Sequence, residues 1–270
     1  MKLKMIVAAL AFAAAGSANA DLSNSLSGNG SLFLGVIDLT GQVSATFDLG
    51  INMDSFQPGF TSYTTWNLNA ANYGTAWNQF VTAAGANLAN AKYLIGAMDS
   101  VGSAVGNDRY LSTSTANMAV ASNQPANTSL LQWQGVDLFI NASNTVGTHP
   151  TEADGAHFAV LADGNSYLAN TNGGFANGKW KTSHSPFVAW GNVNTALDFY
   201  AFATSSTSGL AKASIVSYND FAQDFYLNST TGTLTYGTAP VAAVPEADTY
   251  ALLLAGLGLV GFMARRRKVA

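Results

Sequence analysis

The stretch from Gly30 to Gly50, GSLFLGVIDLTGQVSATFDLG, constrains the fold more than any other part of the chain. Ser31 to Asp38 partly alternates apolar and polar side chains, Thr40-Gly41 has turn chemistry, and Gln42 to Leu49 follows as a second run of the same kind. Runs rich in β-branched and aromatic residues around a short polar turn predict an antiparallel hairpin. Similar runs recur at Lys92 to Met98, Arg109 to Ser114, His157 to Leu161, Phe187 to Trp190, Leu197 to Thr204, Phe225 to Leu227 and Thr233 to Tyr236. Turn-forming clusters such as Gly106-Asn107-Asp108, Asp163-Gly164-Asn165 and Thr171-Asn172-Gly173-Gly174 separate them.

Helical spacing is confined to two segments. Thr75 to Ala84 puts Trp77, Phe80, Val81 and Ala84 on one stripe, and Thr128 to Ile140 spaces Leu131, Gln134 and Leu138 along one face, with Asn127 or Thr128 as N-cap. Many short strands with one or two inserted helices predict an all-β sandwich, with a jelly roll among the options. No fixed-period repeat and no shift in composition marks a second domain, so residues 21–237 read as one β-rich body.

Such a body must rest on its buried core, because the chain contains no cysteine, although it begins like an exported protein. Lys2 and Lys4 precede an apolar run from Ile6 to Ala15, and Ala18-Asn19-Ala20 supplies the small residues of a cleavage site. This is the layout of a secretory signal peptide over residues 1–20, with a signal helix and cleavage by signal peptidase expected before Asp21. The apolar run is too short for a permanent membrane span. Charge is unevenly spread. Residues 21–244 carry thirteen acidic and five basic side chains, a net −8. A body of that sign repels phosphate backbones and anionic headgroups, so nucleic acid is not expected as a partner.

The C-terminal region is built differently. A short linker, residues 238–244, leads to Val244-Pro245-Glu246, then to fourteen residues without charge, Ala251 to Ala264, then to Arg265, Arg266, Arg267 and Lys268. As a helix the apolar run covers about 21 Å, against a bilayer core of about 30 Å. The span is marginal, suited to halting export and poorly suited to lasting retention. The basic cluster belongs on the cytoplasmic side, and Pro245 holds its preceding residue extended, the conformation that peptidases grip. Gly256 to Gly261 matches G-x-G-x-x-G by accident, since a dinucleotide site needs a following helix in a βαβ unit of about thirty residues.

This proline-glutamate pair, apolar segment and arginine cluster in fixed order resembles the PEP-CTERM sorting signal, over residues 245–268. The resemblance implies an exported protein of Gram-negative bacteria that make extracellular polysaccharide. It also implies a transient inner-membrane anchor with the body in the periplasm, and a final place at the cell surface or outside. Processing would fall to an exosortase, a membrane-embedded cysteine peptidase. Pro245 and Glu246 match the first two motif positions, while the third, usually proline, is Ala247 here. The bond cut and the group attached afterwards stay open, as does an uncut tail anchor.

In the body, chemistry concentrates in HPTEADGAH, where His149, Glu152, Asp154 and His157 could together hold a metal, or form a polar surface loop with His157 starting a strand. No recognised metal spacing such as H-E-x-x-H is present. Asp154-Gly155 and Asp163-Gly164-Asn165 could offer oxygens to calcium, but are also ordinary turn compositions. Ser183-His184-Ser185 sets a histidine between two serines without a Gly-x-Ser-x-Gly elbow. No cofactor is expected, and a non-enzymatic surface or matrix protein is favoured over a hydrolase. A carbohydrate-binding module is the alternative. Trp180, flanked by Lys179 and Lys181 in GFANGKWK, would be its sugar-stacking residue, unless the tryptophans simply fill the core.

Overall fold

The computed structural model describes residues 21–58, 60, 62–100, 108–115, 118, 124–127, 136–169, 189–205, 208–218 and 224–237. Both ends, with the expected signal helix, the linker, the hydrophobic segment and the basic cluster, lie outside them. Among the described residues no helix is long and apolar enough to cross a membrane.

The hairpin forms as expected. Strand β1 (Ser31–Asp38) pairs antiparallel with β2 (Val43–Asn52), in a register that sets Asp38 opposite Val43. Asp38 Oδ1 accepts from Thr40 N–H at 2.9 Å. Glycine at position 41 leaves the Asp38 carboxylate room in this turn, because a Cβ there would lie 2.5 Å from Asp38 Oδ2. The alternation of β1 is only partial because both its faces are covered. Leu32, Leu34 and Val36 enter one hydrophobic cluster, while Phe33 and Ile37 enter another.

The remaining strands are β3 (Thr64–Asn67), β4 (Lys92–Asp99), β5 (Arg109–Ser114), β6 (Ala156–Val160), β7 (Gly191–Asn192), β8 (Ala196–Ala203), β9 (Ser214–Ser217), β10 (Phe225–Asn228) and β11 (Thr233–Tyr236). All pair antiparallel, in the order β3-β11-β10-β8-β5-β4-β1-β2-β6, with β7 added to β4 and β9 to β8. The body is therefore mostly β, as the sequence predicts. Its layering comes from one sheet that curls. The first residues of β8, Ala196 and Leu197, pair with β10, whereas Asp198 to Ala203 pair with β5, so β8 turns the corner. Trp66 of β3 closes the curl by donating its indole N–H to Leu49 O of β2 at 2.9 Å, although the two strands sit near opposite ends of the order.

Inside the curl, Phe56 is fully buried among the rings of Phe60, Phe199, Tyr218, Phe225 and Tyr236. Helix α1 (Ala76–Ala84) covers the same side with Trp77, Phe80 and Ala84, three of the four residues on the predicted stripe; Val81 is half-buried. The outer side is covered by helix α2 (Asp137–Ser143), where the expectation needs correction. Leu138, assigned by spacing to the packed face, is 52% exposed, and Phe139, Ile140 and Ser143 are buried instead. The predicted face drew on Leu131 and Gln134, which lie outside the described residues, as do Phe187 and Val188 of one expected strand.

Candidate functional site

The loop between α2 and β6 carries the histidine cluster. Thr148 fastens it down, with its N–H donating to Ala156 O at 2.9 Å and its hydroxyl to Asn72 O at 2.6 Å. Asp48 N–H donates to Gly155 O at 2.9 Å. Glycine lets the loop lie this close, since a Cβ on Gly155 would sit 2.4 Å from His149 Cα. Gly155→Ala must therefore shift backbone, and a loss of about 1–3 kcal/mol is expected in chemical denaturation.

Under this loop the imidazoles of His149 and His157 are buried side by side, ring centroids 5.3 Å apart. His157 Nε2 lies 2.9 Å from Ser166 O and so carries the proton. Neither nitrogen of His149 has a hydrogen-bond partner, nor has His157 Nδ1, nor Thr46 Oγ1 on the neighbouring strand. Burial pushes both rings down, His149 to about 3, with His157 adding to the shift, and His157 to about 4. Both are neutral at pH 7. Glu152 is exposed, and Asp154 faces the Asp48 side of the loop. The four candidate ligands are thus not gathered. Among the described residues no three His, Cys, Asp or Glu side chains are placed to hold a metal. The histidines are core residues rather than parts of a polar surface loop.

Next to this pair, Asp48 is also buried. Its Oδ1 accepts from Gly50 N–H at 2.9 Å, yet burial pushes the carboxyl up to about 8, with the charge of Asp154 contributing. Asp163 of the second calcium candidate accepts from Val160 N–H at 2.8 Å, closing a turn.

A different place gathers polar side chains at the surface. Where β7 meets β4 and the start of β8, a cleft of about 430 Å³ is lined by Lys92, Thr115, Trp190, Asn192, Thr195 and Asp198 among others. Lys92 Nζ donates to Asn192 Oδ1 at 2.6 Å. Asp198 accepts from the Tyr200 hydroxyl at 2.8 Å and hydrogen-bonds the Asp224 carboxyl. Burial first, then the Asp198 charge, raises Asp224 above the ordinary carboxylate range. Sequence reading misses this cleft, because Lys92 and Asn192 are a hundred positions apart and each looks like any surface residue.

The described tryptophans serve the core. Trp66, Trp77 and Trp190 are all buried. Trp133, Trp180 and the Ser183-His184-Ser185 triplet lie outside the described residues.

The family model described as the PEP-CTERM protein-sorting motif matches residues 243–268. This stretch holds Val244-Pro245-Glu246 and the Arg265–Lys268 cluster. The chain carries the PEP-CTERM sorting motif, which implies export and membrane-anchored sorting by an exosortase. No curated protein and no solved structure matches it.

Proposed function

We propose that this chain is a non-enzymatic surface or extracellular-matrix protein. It enters the secretory route through residues 1–20 and is cut after Ala20. It then pauses in the inner membrane on its short apolar segment, with Arg265 to Lys268 inside. An exosortase cleaves near Val244-Pro245-Glu246, and the body joins extracellular polysaccharide of the biofilm type. The carrying observation is the match of the sorting motif to residues 243–268. The body supplies no disulfide, so a stable core rather than covalent staples keeps it folded outside the cell.

The test replaces Pro245 and Glu246 together with alanine in the native host. Full-length chain, basic cluster included, should accumulate in the inner membrane while the wild type is trimmed and exported. Identical trimming and location of both forms would refute the sorting route.

A second reading makes the body itself a carbohydrate-binding module. The polar cleft beside Trp190 favours it, and Trp180 is its stacking candidate.

A further inference from the structure

We propose that the cleft between β7 and the start of β8 is a binding subsite for a neutral saccharide, with Asn192 and Asp198 as its hydrogen-bonding walls. It rests on the carbohydrate-binding reading of the body and moves the contact from Trp180 to a defined place. The volume, about 430 Å³, falls in the range of about 300–1,000 Å³ of small-molecule sites.

The lining selects the ligand by chemistry. An apolar ligand would strip water from Lys92, Asn192 and Asp198 without replacing its hydrogen bonds, which is costly. An anion would meet the Asp198 carboxylate and a body of net −8. A cation would meet Lys92, whose ammonium already donates to Asn192 Oδ1 and thereby orients that amide. What suits an amide, a carboxylate and threonine hydroxyls together is a ligand whose adjacent groups both donate and accept, without charge. Vicinal hydroxyls of a sugar ring do this, bridging the two oxygens of a carboxylate or the oxygen and nitrogen of an amide.

The walls are held ready. Asp198, which lines the cleft, is held in place by the Tyr200 hydroxyl at 2.8 Å and by Asp224. Its backbone pairs with Ser114 of β5, and β8 gains β9 as a second neighbour from Tyr200 onward. The floor is equally fixed. A Cβ on Gly191 would lie 2.3 Å from Leu197 Cδ2, so glycine here lets β7 lie against that buried leucine without displacing its side chain. Such support reduces the ordering cost of binding. Trp190 is only 6% exposed, so it offers an apolar wall and not an open ring face.

The experiment titrates the full-length chain, purified in detergent, with cellohexaose, maltohexaose, chitohexaose and dextran, and with an alginate oligomer as anionic control. At least one neutral probe should bind. Asn192→Ala, at an exposed position, should weaken that binding by about tenfold, the loss of roughly one or two hydrogen bonds, with unchanged melting temperature. Asp198→Asn should do the same. If that variant fails to fold, Thr195→Ala takes its place beside Asn192→Ala. Alginate should bind at least tenfold more weakly than the best neutral probe, and equal or tighter alginate binding would overturn the assignment. Binding that ignores Asn192→Ala but vanishes with Trp180→Ala overturns the cleft and leaves the carbohydrate-binding reading standing. No binding to any probe removes both, while the sorting route stands or falls on trimming alone.

Discussion

Phe56→Ala is expected to lower the stability of the body by about 4–5 kcal/mol, at the upper end of the range for a buried phenylalanine. The size follows from its position. Phe56 is fully buried and touches five aromatic rings at centroid distances from 4.6 to 5.9 Å. Each such pair contributes about 0.5–1.5 kcal/mol beyond the burial of its area. The rings come from β8, β10, β11 and the segments at 60 and 218, so the cavity opens where the curl of the sheet is closed. The surroundings cannot collapse readily into it, because the Tyr218 hydroxyl donates to the Phe56 carbonyl and the Tyr236 hydroxyl to Phe60 O. No disulfide exists to limit the loss. In urea denaturation the midpoint should fall with little change in slope. Leu210→Ala, at a side chain 87% exposed, should stay within about 0.5 kcal/mol of the wild type. A Phe56 variant as stable as the Leu210 variant would mean that the aromatic hub does not organise the fold.

Phe56 also shows where sequence reading runs out. It stands in MDSFQPGF, a stretch with neither helical nor strand period, so nothing local announces that the core converges on it. The paired strands β1 and β2 were legible because turn chemistry and apolar runs agree at the same residues. Strand β3 was not, because it is four residues long and only Trp66 among its side chains is buried. Strand β9 shows no pattern, being exposed along most of its length. The histidine loop misled in another way. Its polar composition reads as surface, yet Gly147 and Gly155 allow the backbone to press against its neighbours and bury His149. The sorting signal is the opposite case. Its information is linear, an order of unlike segments, and needs no folding to be read.

The pH dependence of stability should be bell-shaped, with its maximum near pH 6.5, and two substitutions should dissect it. His149 and His157 have folded values of about 3 and about 4, below the ordinary value of about 6.5. As pH falls below about 6.5 the unfolded chain takes up protons that the fold refuses, so stability falls with falling pH, by about 3 kcal/mol per histidine at pH 4. Asp48 acts in the opposite sense. Its folded value, about 8, lies above the ordinary value. Its contribution is therefore complete below about pH 4 and lost as pH rises toward 8. Asp154 and Asp224, also raised by burial, shift in the same direction as Asp48. Between pH 4 and 6.5 two histidines outweigh Asp48, and above 6.5 their contribution is complete while that of Asp48 is still being lost, which places the summit between them. Asp48→Asn should therefore flatten the alkaline decline and deepen the acid loss to as much as about 5 kcal/mol between pH 6.5 and 4. Replacing both histidines with glutamine should remove the acid limb, so that stability declines steadily as pH rises. Denaturation midpoints measured from pH 4 to 9 read all three curves. An acid limb that survives the double histidine substitution would show that other groups carry it, and that the buried pair titrates near its ordinary value in the folded chain.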